Sequence, residues 1–70
     1  MRKSELKALA EKIKKLRKVK RMTQVELAVA IGLSPSYVAA IEQATRQPSL
    51  KTLKKLARVL GTRVTDLIDF

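Results

Sequence analysis

Cysteine and histidine are both missing from this chain, and each absence removes a class of chemistry. Without cysteine there are no disulfides and no thiolate metal sites. Without histidine the usual metal ligand and acid–base group is gone. Carboxylates are few, six against sixteen Lys+Arg, and they are scattered rather than paired, which argues against an enzyme. No apolar run approaches the roughly 18 residues of a membrane span, and the first residues lack the apolar core of a signal peptide. The expectation is a cytoplasmic protein with no cofactor, no metal, no small-molecule ligand and no membrane partner.

What is present is positive charge. The formal balance is +10 on seventy residues, and such an excess favours a polyanionic partner, most often nucleic acid. A basic helix can also lie on an anionic membrane, but the apolar stripe here is short and is better used in the core. Seventy residues make one domain, 1–70, with no linker, repeat or low-complexity stretch. A chain of this size needs efficient helix packing, staples or a partner.

The most informative stretch is Thr23 to Gln43. Thr23 and Glu26 form a capping box, and Val25, Leu27, Ala28 and Ile31 follow at roughly helical spacing. Gly32 stands where a left-handed residue ends the run. Ser34 is a good N-cap and Pro35 suits a first helical position, while Val38 and Ile41 give the second helix an inner face. With Gln24 as the first position, Ala28 is the fifth, Gly32 the ninth, Val38 the fifteenth and Ile41 the eighteenth. A small fifth residue lets the helices cross closely, and apolar fifteenth and eighteenth residues bury the second helix from behind. That is the geometry of a helix-turn-helix, which holds its second helix out for a major groove.

With these residues the chain resembles the lambda-repressor/Cro-like (XRE-type) helix-turn-helix family. The matching residues run from Leu16-Arg17 through Met22-Thr23-Gln24, Glu26-Leu27-Ala28, Ile31-Gly32-Leu33-Ser34 and Ile41-Glu42 to Pro48-Ser49-Leu50 and Leu60-Gly61. The resemblance covers about Leu9 to Phe70. It implies an all-α, compact five-helix domain that binds double-stranded DNA and regulates transcription. It also implies a partly buried ion pair between Arg17 and Glu42, which is favoured here over an exposed arginine snorkelling past the core edge.

The remaining helices read more simply. Ser4 can cap a first helix, with Glu5 in its first turn, and Leu6, Leu9, Ala10, Ile13 and Leu16 form an inner stripe. Met1–Arg21 otherwise carries ten Lys/Arg and two Glu. Ser49 caps a fourth helix with Leu50, Leu53, Leu56, Ala57 and Leu60 inward, Lys51, Lys54, Lys55 and Arg58 outward, and Gly61 as its stop. Relatives usually have glycine or asparagine where Ala44 stands, so alanine there costs about 1 kcal/mol or forces another helix end. Relatives often place a capping serine at Arg63, so the cap of the last turn passes to Thr62. Leu67 and Ile68 are read first as closing the bottom of the core, and Phe70 as free to meet a second copy; the resemblance implies a homodimer through this C-terminal region, Leu67, Ile68 and Phe70.

For DNA, the resemblance puts base reading on Pro35, Ser36 and Ala40, with Tyr37 and Ala39 beside them. Ser36 has little selectivity, and Pro35 and Ala40 can only touch a thymine methyl. Tyr37 can bond a base or a phosphate, or lie against the helix edge. Direct readout is therefore modest and DNA shape carries more weight. Between Thr23 and Thr45 there is no lysine or arginine, so affinity falls to the flanks of the reading helix. The resemblance implies that Gln24, Gln43, Thr45 and Arg46 lie toward phosphates, with the minor groove as another destination for Arg46. Ser34 caps a helix N-terminus suited to the backbone, and Lys51 is a further addition. The competing reading is a protein-interaction module of the same fold, an antitoxin or adaptor, supported by the weak reading helix and by Val25 and Val29, one turn apart.

Overall fold

The computed structural model describes residues 1–70 as five helices without strands: α1 Lys3–Val19, α2 Gln24–Ile31, α3 Pro35–Glu42, α4 Leu50–Leu60 and α5 Val64–Leu67. The body measures 27 × 22 × 21 Å. No single helix is long and apolar enough to cross a membrane.

Apolar stripes at helical spacing converge on one core. Leu9 and Ile13 of α1, Leu27 of α2, Leu56 of α4 and Leu67 of α5 are fully buried, with Val38 and Ile41 of α3 nearly so. Ala28 is also fully buried, between the larger Leu27 and Ile31 of the same helix, and a bulkier side chain there would overpack the core. Burial of each larger side chain stabilises by about 1.5–3 kcal/mol, and in so small a body the stripes of all five helices are needed.

The caps expected at Thr23, Ser34 and Ser49 are formed. Thr23 Oγ1 accepts the Glu26 N–H at 3.0 Å while Glu26 Oε1 accepts the Thr23 N–H at 2.8 Å. Ser34 Oγ accepts the Tyr37 N–H at 3.1 Å, and Ser49 Oγ accepts the Thr52 N–H at 3.2 Å. The caps of α1 and α5 differ from expectation. Helix α1 begins before Ser4, with Arg2 at the N-cap and Glu5 Oε1 accepting the Arg2 N–H at 2.8 Å. The cap of α5 falls on Arg63 rather than Thr62. Asp66 Oδ2 accepts from the Arg63 N–H and from the Thr62 hydroxyl, both at 3.4 Å. In both helices an acidic residue at the third position accepts the N–H of the capping residue, the second half of a capping box, while no side chain takes the hydroxyl's half.

Four helices end the same way, and two of them do so without glycine. After α2 and α4 the left-handed residue is Gly32 and Gly61; after α1 and α3 it is Arg21 (φ 57°) and Ala44 (φ 60°). At the end of α3 the Thr45 N–H donates to the Ala40 carbonyl at 3.0 Å and the Ala44 N–H to that of Ile41 at 3.1 Å. This pair of bonds satisfies carbonyls the helix leaves over. Alanine thus keeps the left-handed end and bears its cost.

One assignment along the apolar stripes needs correction. Leu50 is 59% exposed, not part of the inner face of α4. It is the first helical residue, and helical side chains lean toward the N-terminal end, so Leu50 leans past the core while Thr52 is buried in its place. Leu67 closes the bottom of the core as expected; it is fully buried, which leaves it no surface for the alternative contact with a second copy. Ile68 is half-buried and Phe70 is 48% exposed. The tail is tied back to α1 by Lys12, whose ammonium donates to the Asp66 carbonyl at 2.8 Å and pairs with the Asp69 carboxylate.

Candidate nucleic-acid interface

Helices α2 and α3 meet at 112° across Gly32–Ser34, within the 90–120° range of a helix-turn-helix. Gly32 adopts φ 72°, a conformation that side chains with a Cβ rarely hold, and the Leu33 N–H closes the turn on the Ala28 carbonyl at 2.9 Å. Val38, Ile41 and Glu42 face inward. Helical periodicity then turns the opposite side outward: Pro35 and Ser36 are exposed, Ala39 and Ala40 half-buried, and Gln43, Thr45, Arg46 and Lys51 exposed around them.

Behind this face sits an ion pair that locks three elements together. Arg17 Nε donates to Glu42 Oε2 at 2.6 Å and Nη2 to Glu42 Oε1 at 3.0 Å, the forked geometry that suits guanidinium to carboxylate. Arg17 Nη1 also donates to the Met22 carbonyl at 2.7 Å, and Gln24 Nε2 donates to Glu42 Oε1 at 3.1 Å. The end of α1, the start of α2 and the end of α3 therefore share one hydrogen-bonded junction. Glu42 is 3% exposed, and no buried polar side-chain atom is left unpartnered.

Burial alone would push the Glu42 carboxyl up. Hydrogen bonds from Arg17 and Gln24 and the charges of Arg17 and Lys14 outweigh it and hold that carboxyl below its usual value. Conversely the hydrogen bond to Glu42 raises the Arg17 guanidinium above its own, against the desolvation that lowers it. The consequence at the surface is electrostatic. The only carboxylate on α3 is paired with a cation and leaves no net negative charge at the end of that helix.

The other site residues take distinct places. Gln24 is half-buried, with one amide proton committed to Glu42 and a second still available. Ser34 is exposed, and its hydroxyl accepts from Tyr37 while its own proton stays free for a neighbouring acceptor. Thr45 directs both its N–H and its hydroxyl to the Ala40 carbonyl, at 3.0 and 3.1 Å. It reaches a phosphate only by releasing the hydroxyl bond. Tyr37 is half-buried and packs against the core cluster, and the Arg46 guanidinium lies 5.4 Å from its ring centroid. Sequence reasoning missed this stack and the Gln24–Glu42 bond, because neither pair has a spacing that marks it. Val25 and Val29 are 55% and 75% exposed on the outer side of α2.

Comparison with known proteins agrees with this geometry. The helix-turn-helix family profile matches residues 13–67. The chain is similar to the immunity repressor protein of Bacillus phage phi105, 42% identical over 60 residues that make up 86% of this chain and 42% of the repressor. It therefore spans less than half the length of that relative. It is also similar to the control protein C.BamHI of Bacillus amyloliquefaciens, 36% identical over 86% of this chain and 75% of that protein. Among solved structures, the restriction-modification controller protein C.AhdI of Aeromonas hydrophila superimposes with a TM-score of 0.87 at 33% identity, over 91% of this chain and 97% of that one. A family profile spanning most of the chain, these relatives, and an α3 held outward over a buried Arg17–Glu42 junction lead to one conclusion: the chain belongs to the lambda-repressor/Cro-like (XRE-type) helix-turn-helix family.

Proposed function

We propose that this protein is a transcriptional regulator that binds double-stranded DNA by laying α3 in the major groove. The observation that carries the reading is the orientation of α3, whose Val38–Ile41 side is sunk in the core while Pro35 and Ser36 stand free at its start. Base edges meet Pro35, Ser36, Ala39 and Ala40, with Tyr37 at the border. These side chains offer one weak hydrogen-bonding group and several methyl-sized contacts, so sequence preference rests largely on the shape and deformability of the duplex.

Affinity comes from the rim. The N-termini of α2 and α3 present amide N–H groups and the positive ends of their dipoles to the backbone, with Gln24 and Ser34 beside them. Gln43, Arg46 and Lys51 hold the phosphates beyond the far end of α3, joined by Thr45 when it rotates. The apolar tail supports a homodimer through Ile68 and Phe70, which would set two half-sites at a fixed spacing. Relatives named as a repressor and as control proteins support the regulatory reading.

The test combines selection from a random duplex library with a salt titration of the selected duplex. An enriched motif is expected, two-fold symmetric if the protein binds as a dimer. With about five phosphates neutralised, log affinity should fall against log salt with a slope of about −4 to −5. Substitutions at Ser36 and Ala40 should move the preferred sequence, and Arg46→Ala should weaken all duplexes alike. Binding that ignores salt, or a preference untouched by changes across Ser36–Ala40, would refute this arrangement.

A further inference from the structure

Arg46 is the only cation between Thr23 and Leu50, and Tyr37 is the only aromatic there. The fold brings the two together. Ala44 turns the chain back in a left-handed conformation, and Arg46 then returns along α3 until its guanidinium lies 5.4 Å from the centre of the Tyr37 ring. The ring is supported from below, since Tyr37 is half-buried against the core cluster, and its backbone is fixed in the first turn of α3, where its N–H donates to the Ser34 hydroxyl. Arg46 is exposed and has no carboxylate partner: the three ion pairs of the molecule are Lys12–Asp69, Lys14–Glu11 and Arg17–Glu42.

A free surface arginine samples many rotamers, and ordering it on a phosphate opposes binding. An aromatic face removes part of that freedom beforehand. It attracts the cation through its quadrupole, and it engages the flat face of the guanidinium while leaving the N–H groups at its edge directed outward. A ring that is itself packed is a firmer platform than a mobile one.

We infer that Tyr37 is a positioning residue for Arg46, so that the ring supports the grip on the DNA backbone rather than the choice of base. The inference rests on the DNA-binding reading above and assigns a role within that same surface. It makes the phenol hydroxyl dispensable and the aromatic ring necessary. The contribution of Tyr37 is equal on every duplex and vanishes when Arg46 is absent.

The experiment measures affinity for the selected duplex and for a random duplex, across a salt series, with the unaltered protein, Tyr37→Phe, Tyr37→Leu, Arg46→Ala and the Tyr37→Leu/Arg46→Ala double variant. Leucine keeps the apolar packing and removes the ring, and thermal melting confirms that each variant is folded. Tyr37→Leu should weaken both duplexes by the same factor, about two- to fivefold for an exposed cation–π contact. Tyr37→Phe should restore that loss with the sequence preference unchanged. Arg46→Ala should weaken binding further and lower the salt slope by about 1, and the double variant should be no weaker than Arg46→Ala alone.

A changed preference in Tyr37→Phe would overturn the inference, as would a Tyr37→Leu penalty that persists in full without Arg46. So would Tyr37→Leu binding as tightly as the unaltered protein. Failure of the unaltered protein to bind either duplex would instead overturn the DNA reading itself.

Discussion

Met1–Arg21 carries ten cations and two carboxylates, whereas Thr23–Gln43 carries no cation and two carboxylates. In the first region charge is abundant and mostly solvated; the inner stripe of α1 needs only Leu9, Ala10 and Ile13 fully covered. In the second, both carboxylates have partners. Glu26 closes the cap of α2 and Glu42 is buried on Arg17. One of the ten cations of the first region is thus consumed in holding the second in shape. On the function proposed above, charge density does not mark the surface that meets the bases. The segment without a cation is the one that holds α3 outward, with Arg17 paired behind it and Arg46 and Lys51 exposed beyond its end.

The sharpest way to break this contrast is at Glu42. Glu42→Ala leaves Arg17 buried without its partner and should cost about 3 kcal/mol or more, whereas Glu11→Ala, on an exposed pair of 3.9 Å with Lys14, should stay within about 0.5 kcal/mol. Denaturant midpoints measure both, and equal midpoints would show that the junction contributes no more than a surface contact.

Acid tests the same junction without a substitution. The folded-state pKa of Glu42 is lowered, so in the acid range the unfolded chain binds more protons than the folded one. Stability is then complete above the ordinary glutamate value of about 4.3 and is lost as pH falls through the lower, folded value. Asp69, held below its usual value by the hydrogen bond from Lys12, acts in the same direction at the surface. Glu42→Gln should flatten the acid limb of a melting-temperature profile more than Asp69→Asn does. The reverse order would place the acid sensitivity in the tail.

A smaller effect is expected at the end of α3. Ala44→Gly relieves a left-handed alanine but makes the unfolded chain more flexible, for a net gain of about 0.5–1 kcal/mol. A loss of thermal stability would mean that the turn is not held as described. Smallest of all should be Lys15→Ala. Lys15 is exposed, two residues and so about 200° around the helix from the buried Ile13. DNA affinity should change by less than about twofold, and a loss as large as that of Arg46→Ala would move the interface onto α1.

Much of the fold is legible in the sequence because its signals are local. Thr23–Glu26, Ser34–Tyr37 and Ser49–Thr52 each close across three residues, and the spacing of Ala28, Gly32, Val38 and Ile41 is enough to specify the turn between α2 and α3. The differences between expectation and fold lie at element ends. Arg2 rather than Ser4 caps α1, Arg63 rather than Thr62 caps α5, and Leu50 turns outward, because a terminal residue lacks the flanking turn that fixes side-chain direction. Propensity rules give no warning of Arg21 in a left-handed conformation. The orphan carbonyls at the end of α1 outweigh the preference of that one residue.

The sequence by itself determined where the helices run, which faces are apolar and how charge is divided along the chain, since those properties are set by residues within about a turn of one another. The Arg17–Glu42 pair is legible only through the family resemblance and not from any local pattern, while tertiary structure alone decided that Gln24 would join it and that Arg46 would lie on Tyr37. Arg17 finds Glu42 across 25 residues, and Arg46 finds Tyr37 across a turn whose shape depends on a strained alanine. Such contacts carry no periodic signature. They exist only because the packed core fixes the chain entropy of both partners at once.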